Sequence, residues 1–232
     1  HVSLTLLEKG FNVYAIDSFV NSTIKSINVL SNYSKINRKN GLGNFYFFQG
    51  DLRDEFLLNN IFNNAKSNNF PIDAVIHFAA LKSVSESREF PIKYWSNNIL
   101  GTINLIKVME KFDCFNLIFS SSATVYGNAN VTPISENTLI APINPYGKTK
   151  AYIESMLFDL INSKKNSWKI CILRYFNPVG SHPSGLLGEE YTGKTGNLFP
   201  IICNSALDKL NILNIYGDDW PTKDGTCVRD YI

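Results

Sequence analysis

The chain has 232 residues, of which 44% are hydrophobic and 18% are charged, and its formal net charge at pH 7 is +2. This composition is typical of a globular protein with a sizeable core, and the length allows one large domain or one domain and part of another. The small net charge and the lack of long Lys/Arg runs argue against a nucleic-acid partner. No continuous apolar run reaches membrane-spanning length, so we expect no membrane partner.

The cysteines and histidines indicate neither a disulfide framework nor a metal site. The four cysteines are widely spaced and form no C-x-x-C pair. This usage favours free thiols in a reducing, cytoplasmic setting. His1, His77 and His182 have no metal-ligand spacing with one another or with a cysteine, so we predict no bound metal.

Short apolar runs alternate with helical patterns along most of the chain. Apolar recurrence at helical spacing predicts helices over residues 2–8, 24–33, 55–65, 84–95, 97–111, 145–163 and 198–210. Apolar runs that end in turn residues predict strands over residues 12–17, 45–48, 74–78, 116–120, 169–174 and 213–216. Gly10 is expected to end the first helix as a C-terminal cap.

This order of elements predicts the fold class. Continuous apolar strands that alternate with helices are typical of a parallel sheet covered on both faces. We therefore predict an α/β fold, a Rossmann-like doubly wound parallel sheet with helices on both faces. After Asn177 the chain becomes rich in Gly, Pro and Asn, which indicates the start of a smaller substrate-binding lobe. The expected domains are residues 1–176 and 177–232.

A dinucleotide-binding sheet of this kind begins with a strand, a glycine-rich turn and a helix whose N-terminus holds the pyrophosphate. No G-x-x-G-x-x-G motif precedes Asp17, although a helix and a strand of the kind that follow such a turn are present. The first strand of this fold lies in the middle of the sheet. We therefore expect the protein to extend upstream of His1 and beyond Ile232, and we expect residues 1–232 alone to have little or no activity.

Residues 146–150 (YGKTK) are the first sign of chemistry. In a helix, positions i and i+4 lie on one face a turn apart, so Tyr146 and Lys150 can act at one place. A tyrosine hydroxyl titrates near pH ~10, and a neighbouring ammonium favours the phenolate, so we expect the pKa of Tyr146 to be lowered. We expect a serine hydroxyl from a neighbouring strand end to bridge Tyr146 and a substrate oxygen. Y-x-x-x-K alone is not specific, since solvated helix faces also contain it.

Five segments, one of which contains the YGKTK of residues 146–150, are specific when taken together. They are HFAALKSVSES (77–87), SSSATVYG (120–127), NPYGKTK (144–150), RYFNPVGSHPSG (174–185) and DGTCVRDYI (224–232). The chain resembles the extended short-chain dehydrogenase/reductase superfamily in these segments, and within it the UDP-glucose 4-epimerases. The resemblance implies a redox-neutral isomerase of galactose metabolism that interconverts UDP-galactose and UDP-glucose. The reaction it implies passes through a 4-keto sugar, with hydride transferred to tightly bound NAD and returned to the opposite face.

The resemblance also implies roles for individual residues. Ser122, Tyr146 and Lys150 are the expected catalytic residues, with Tyr146 as acid or base. The cofactor-binding residues that it implies are Asp17, Asp51, Leu52, Phe78, Ala79, Ala80, Lys82, Asn97, Ser122, Tyr146, Lys150 and Phe176. The substrate-binding residues that it implies are Lys82, Ser122, Tyr146, Asn177, Asn197, Leu198, Asn214, Ile215, Tyr216 and Arg229.

Several of these residues also have an ordinary structural interpretation. A carboxylate at Asp17 can accept hydrogen bonds from ribose hydroxyls and repel a 2′-phosphate, which favours NAD over NADP, but Asp is also a common turn residue. Asp51 is a candidate N-cap for the helix that follows it, and Asn97 is a candidate helix cap. Arg229 suits a phosphate oxygen. Tyr126 is interpreted as a packing residue.

Two alternatives stay open at this point. The first is another NAD-dependent nucleotide-sugar epimerase or dehydratase of the same superfamily. Dehydratases place an acid–base pair just after the catalytic hydroxyl residue, and no carboxylate lies between Asp113 and Glu136 here, so elimination of water is disfavoured. The second is a non-catalytic cofactor-binding relative, which the retained catalytic residues argue against. The resemblance further implies a homodimer, formed through the helices predicted over 97–111 and 145–163.

Overall fold

The computed structural model describes residues 1–37, 43–129, 131–163, 165, 167–189, 197–207, 213–215 and 217–232. The chain divides into two compact units, His1–Tyr175 and Phe176–Ile232. In the first unit, parallel strands alternate with helices that lie on both sides of the sheets, so the predicted Rossmann-like α/β fold class is confirmed.

All strands described in the first unit pair in parallel. Strand β1 (Val13–Asp17) pairs with β2 (Phe45–Gln49), and β4 (Asn116–Ser122) pairs on one side with β3 (Val75–His77) and on the other with β5 (Lys169–Tyr175). The strand orders are therefore β1-β2 and β3-β4-β5. Among the described strands, no backbone ladder joins these two sheets.

The helices of the first unit cover these strands. They are α1 (Val2–Glu8), α2 (Lys25–Asn37), α3 (Glu55–Ser67), α4 (Val84–Glu89), α5 (Pro91–Tyr94), α6 (Gly101–Lys111) and α7 (Pro145–Asn162). A π-helical turn over Trp95–Leu100 joins α5 to α6, and a 3₁₀ turn over Ala123–Tyr126 follows β4 directly.

The helix break predicted near residue 96 is wrong, and the structure breaks the helix earlier. Phe90 has φ −124° and ψ 61°, outside the helical region, because the ring of the following Pro91 disfavours helical backbone at the preceding residue. Pro91 then begins a helical run that continues through the π-helical turn to Lys111. The residues predicted to separate two helices are therefore inside one continuous helical segment.

A core of buried apolar side chains holds the helices to the second sheet. β4 contributes Leu117 and Phe119, while α7 contributes Ile153 and Leu157. The remaining members are Trp168, which directly precedes β5, and residues of α3, α6 and the segments next to them: Leu52, Leu58, Phe62, Leu105, Ile106, Val108, Met109 and Cys114. Burial of these side chains is the main stabilising contribution in this unit.

The second unit contains one described helix, α8 (Leu198–Ala206). Its chain segments meet where Asn177 and Tyr231 form a parallel bridge, and Ile232 N donates to Asn177 O at 3.1 Å. The strand predicted over residues 213–216 is wrong for 213–215, which are exposed and have no strand pairing within the described ranges. Tyr216 lies outside the described residues.

Neither a spanning helix nor a metal cluster is found in the described part of the chain. No helix there is long and apolar enough to cross a membrane. Among the same residues, no three His, Cys, Asp or Glu side chains are grouped so that they hold a metal ion.

The core on α7 gives a direct stability prediction. Leu157 is 0% exposed, whereas its neighbour Phe158 is 48% exposed. We expect Leu157→Ala to lower the free energy of unfolding by about 2–5 kcal/mol, because it leaves a cavity in a close-packed core. Phe158→Ala is the matched control and should cost about 1 kcal/mol or less. Urea unfolding of the two variants measures the difference, and equal losses would contradict this description of the core.

Candidate active site

The candidate site lies where β4 ends against α7. Ser122 is the last residue of β4, and its Oγ accepts hydrogen bonds from Thr124 N at 3.2 Å and from Thr124 Oγ1 at 3.0 Å. These two donors orient the serine oxygen, so its own proton is left to donate elsewhere. The Ser122 side chain acts on the phenol of Tyr146 and favours its ionised form, which lowers the pKa of that phenol. The structure thus brings these two predicted catalytic side chains together.

Tyr146 reaches Ser122 because α7 begins close to the 3₁₀ turn. The Asn144 side chain caps α7 by accepting from Gly147 N at 2.8 Å. A Cβ at position 147 would lie 2.8 Å from the carbonyl oxygen of Thr124, so glycine is needed for this close approach. The ring of Tyr146 is buried beside Leu81. Gly147 therefore has a positional role that the sequence pattern did not reveal.

Lys150 lies one turn further along α7 and is 2% exposed. Its Nζ donates to the carbonyl oxygen of Ser120 at 2.5 Å and stands 4.7 Å from the ring centroid of Phe119. Burial lowers the pKa of Lys150 to about 7, and the nearby negative charge of Glu154 opposes that shift. The lysine is therefore close to its titration midpoint at neutral pH.

The structure does not support the expectation that the pKa of Tyr146 is lowered. Burial raises the pKa of this phenol, and the Ser122 hydroxyl only partly offsets that effect. The ammonium of Lys150 does not change the balance, because it is directed to the Ser120 carbonyl. Spacing by one helical turn places Tyr146 and Lys150 on the same face. It does not determine which acceptor receives the hydrogen bond from Lys150.

A buried charged network next to this site was missed by the sequence analysis. Glu154, one turn beyond Lys150, is 1% exposed. Its Oε1 accepts from Ser121 Oγ, and its Oε2 forms an ion pair with Arg174 Nη2 at 2.7 Å. Arg174 Nη1 also donates to Tyr126 OH at 2.8 Å, which agrees with a packing role for Tyr126. Helical spacing from Lys150 was the signal that could have found Glu154.

His77 and Asn98 are two further buried polar residues near the site. His77 Nε2 is 2.8 Å from Thr102 Oγ1, which itself donates to Asn98 O at 2.6 Å, so Nε2 must carry the proton. Burial, together with a smaller effect of the charge of Lys150, lowers the pKa of His77 to about 3. The imidazole is therefore neutral and adds no second cation beside Lys150.

Asn98, in the π-helical turn, ties the loop after β3 to α7. Its Oδ1 accepts from Leu81 N at 2.9 Å, and its Nδ2 donates to Leu81 O and to Thr149 Oγ1, both at 3.1 Å. All polar atoms of this amide side chain are thus used to position backbone and helix. π-Helical turns are frequent at functional sites, and this one also directs the neighbouring Asn97 toward a cavity.

That cavity lies at the carboxyl ends of β1 and β3, the position where open parallel sheets bind ligands. It brings together many of the predicted cofactor-binding residues. The residues that line it are Ile16, Asp17, Ser18, Val20, Asn21, Gly50, Asp51, Leu52, Ala79, Ala80, Leu81 and Asn97. Phe78 and Lys82 are not among them: the ring of Phe78 is 46% exposed and packs 6.3 Å from Tyr175, and Lys82 is exposed just before α4.

Two carboxylates at the cavity have defined local contacts. Asp17 Oδ1 accepts from Phe19 N at 2.8 Å and from Ser22 Oγ at 2.7 Å. Asp51 forms an ion pair with Arg53 at 2.7 Å and accepts from its backbone N at 2.8 Å, and this guanidinium lowers the pKa of Asp51. The N-cap of α3 is Asp54, so the cap interpretation of Asp51 is wrong. Asn97 lies inside a helical run and is not a cap either.

The other predicted ligand contacts belong to the second unit. Asn177 Nδ2 donates to Asp230 O at 2.7 Å, and Asn197 is the N-cap residue of α8 with its Nδ2 bonded to Glu189 Oε1 at 2.8 Å. Leu198 begins α8. Phe176 is half-buried, and Asn214, Ile215 and Arg229 are exposed. Tyr216, as noted, is outside the described residues.

The alternation of parallel strands and helices, with a cavity at the strand ends and a Ser–Tyr–Lys cluster beside it, defines a Rossmann-like α/β protein with a candidate redox site. A family model described as GDP-mannose 4,6 dehydratase matches residues 1–232. The chain belongs to this family.

Individual relatives are similar over the whole chain. UDP-glucose 4-epimerase 2 of Arabidopsis thaliana is 46% identical over 232 residues, which are all of this chain and 63% of that protein. The UDP-glucose 4-epimerase of Yersinia enterocolitica is 46% identical over 234 residues, or 66% of its length. The crystal structure of UDP-glucose 4-epimerase from Bifidobacterium longum in complex with NAD+ and UDP has a TM-score of 0.87 at 42% identity, covering 100% of this chain and 66% of that one. The chain thus spans slightly less than two thirds of each of these three relatives.

The burial of Lys150 predicts a pH-dependent stability difference. Its folded-state pKa of about 7 is below its ordinary value of 10.5, so between these values the unfolded chain binds the proton and the folded chain does not. The free energy of unfolding contributed by this group therefore rises with pH across that window. We expect Lys150→Met to be stabilised relative to the parent at pH 6, with the difference shrinking as pH approaches 10.

Paired urea titrations of parent and Lys150→Met at several pH values measure this difference. All other titrating groups are shared, so most of their pH dependence cancels between the two proteins. Lys148→Met, which changes an exposed lysine on the same helix, is the control and should show no such trend. A stability difference between Lys150→Met and the parent that does not change from pH 6 to pH 10 would contradict the lowered pKa of Lys150.

Proposed function

We propose that this protein is a UDP-glucose 4-epimerase, an isomerase that interconverts UDP-galactose and UDP-glucose through a 4-keto sugar. The observation that carries the proposal is the meeting of Ser122 and Tyr146 hydroxyls beside Lys150, at the end of a parallel strand. Proteins named UDP-glucose 4-epimerase that are 41–46% identical over the whole chain support it.

We propose NAD as the cofactor, and the described residues fit a dinucleotide. Phe19 N and Ser22 Oγ both donate to Oδ1 of Asp17, which leaves its Oδ2 as an acceptor for ribose hydroxyls. Ala79 and Ala80 are small enough for a close approach of the cofactor to the backbone after β3. Asp51, Leu52 and Asn97 would complete the adenosine side of this cavity. When bound, NAD supplies a hydride acceptor that later returns the hydride to the sugar.

Tyr146 would move the proton. It would take the proton of the sugar 4-hydroxyl during oxidation and give it back during reduction, with the Ser122 hydroxyl bridging the two oxygens. Because burial raises the pKa of the phenol, this role depends on positive charge nearby. Lys150 would supply it in the ammonium form, one turn away on the same helix face, and for this its Nζ would have to turn from the Ser120 carbonyl toward the phenol. The exposed Phe78, the half-buried Phe176 and Lys82 would contact the nicotinamide side of the cofactor.

Nucleotide and sugar binding is proposed for the second part of the chain. In this proposal residues 1–176 bind NAD and residues 177–232 form part of a nucleotide-sugar-binding domain. Its UDP contacts would be Asn177, Asn197, Leu198, Asn214, Ile215, Tyr216 and Arg229, with the Arg229 guanidinium on a phosphate oxygen. Contacts to the nucleotide, remote from the reacting carbon, would hold the substrate while the hexose turns over. We also propose a cytoplasmic homodimer, on the resemblance alone.

The proposed proton carrier is tested by Tyr146→Phe in the complete protein encoded by the gene. We expect UDP-galactose to UDP-glucose conversion to fall by about 10²–10⁴-fold, because acid–base catalysis of this kind contributes that much. Folding and NAD content should be retained, since only a hydroxyl is removed. Tyr152→Phe, an exposed tyrosine on the same helix, is the control and should be fully active.

Product analysis of the same reactions separates the alternatives. An epimerase converts UDP-galactose to UDP-glucose with no loss of water, whereas a dehydratase gives a 4-keto-6-deoxy sugar. A non-catalytic relative gives neither product at any protein concentration. Full activity in Tyr146→Phe would remove Tyr146 from its proposed role.

A further inference from the structure

Glu154 is the buried charge that the proposed reaction does not use. It is four residues after Lys150 and eight after Tyr146, so the three side chains lie on successive turns of one face of α7. It is 1% exposed, yet it carries a carboxylate. Burying a charge costs free energy unless the charge is paired and hydrogen bonded. The contacts of Glu154 therefore show which groups compensate its buried charge.

Those contacts join α7 to two strands. Both carboxylate oxygens accept from Arg174 of β5: Nε is 3.1 Å from Oε1 and 3.2 Å from Oε2, and Nη2 is 2.7 Å from Oε2. Ser121 of β4 donates to Oε1. The guanidinium is itself fixed by Tyr126 OH at 2.8 Å and by the carbonyl oxygen of Glu136 at 3.0 Å. A planar, two-oxygen contact of this kind fixes orientation as well as distance.

Ser121 lies between the two serines that contact the candidate catalytic residues. The carbonyl oxygen of Ser120 accepts from Lys150, and the hydroxyl of Ser122 lowers the pKa of Tyr146. Two consecutive residues of β4, Ser120 and Ser121, are therefore hydrogen bonded to successive turns of α7. The Ser121–Glu154 bond is the contact in this series that involves no proposed catalytic side chain.

The charges around Lys150 make Glu154 electrostatically important as well. From β3, His77 faces Lys150 as a neutral imidazole, because burial lowers its pKa to about 3. Tyr146, on the same helix, is protonated at neutral pH, since burial raises its pKa. Arg174 of β5 is a cation and is directed to Glu154. Glu154 is thus the negative group that acts on the buried lysine among the described residues.

We propose that Glu154 is a positioning residue: it fixes α7 against β4 and β5 through Ser121 and Arg174, and its buried negative charge keeps Lys150 in the ammonium form. The proposal deepens the proposed function, on which its catalytic meaning rests, because an ammonium beside Tyr146 is what the proton transfer needs. Stability alone is a weak explanation, since buried ion pairs often contribute little net free energy compared with apolar side chains.

The test measures the protonation of Lys150 without measuring turnover. The complete protein is prepared with ¹³Cε-labelled lysine, Lys150→Arg identifies the resonance, and its shift is followed against pH by NMR. In Glu154→Gln we expect the Lys150 midpoint to fall by about one pH unit or more, because an opposite charge at close range has been removed. Glu154→Asp keeps the charge and should restore most of the shift. A purely structural role would change the melting temperature but not this midpoint.

Two further variants keep the test decisive. Asp159→Asn removes an exposed carboxylate from the same helix and should leave the Lys150 midpoint unchanged. Arg174→Met removes the cation that neutralises Glu154, so the midpoint should rise, opposite to Glu154→Gln; this variant carries the test if Glu154→Gln does not fold. A Lys150 midpoint in folded Glu154→Gln equal to that of the parent, or a fall in Arg174→Met, overturns the proposal.

The outcome is distinguishable from failure of the proposed function. If Tyr146→Phe is fully active but the Lys150 midpoint falls in Glu154→Gln, the electrostatic assignment stands and the catalytic one does not. If the assignments both hold, the alkaline limb of the pH–rate profile should move to lower pH in Glu154→Gln by the amount that the Lys150 midpoint moves. Glu154→Asp should then move that limb back toward its position in the parent.

Discussion

The site depends on one contact, between the end of β4 and the polar face of α7. Two side chains that are charged in water, Lys150 and Glu154, are buried there almost completely. Neither would be stable in an apolar interior without a partner. The strand provides acceptors and donors at the required spacing through its serine run, and Arg174 on the next strand balances the carboxylate. The pairing of β4 with β5 therefore places the partners of both buried charges beside α7.

The close approach that makes this contact possible also explains residues that carry no chemistry. Gly147 is glycine because a side chain there would meet the carbonyl oxygen of Thr124. Asn98 uses its amide to hold the loop at Leu81 and the hydroxyl of Thr149, so the loop beside the cavity and α7 are fixed to each other. The two halves of the candidate site, the cavity and the hydroxyl cluster, are thus held to each other by buried hydrogen bonds of Asn98.

The sequence analysis was right where a local pattern determines the answer. Apolar runs of strand length followed by helices predicted the Rossmann-like fold class, since a sheet buried on both faces leaves that pattern in any chain. It was wrong where strand pairing or the identity of the next residue determines the secondary structure. The strand expected at 213–216 has no pairing over 213–215, and the helix break came at Phe90 because of the proline that follows it. The residue roles taken from the resemblance stay predictions.

By itself, the sequence determined that Tyr146 and Lys150 share a helix face and that a serine run ends a strand nearby, because helical and strand periodicity depend only on spacing. Only the tertiary structure decided what those groups experience. Burial and hydrogen-bond partners are set by residues distant along the chain. The carbonyl oxygen of Ser120 accepts from Lys150, and Arg174 forms an ion pair with Glu154. The phenol of Tyr146 is desolvated, so its pKa rises. Protonation depends on surroundings in three dimensions, and spacing along one chain cannot supply them.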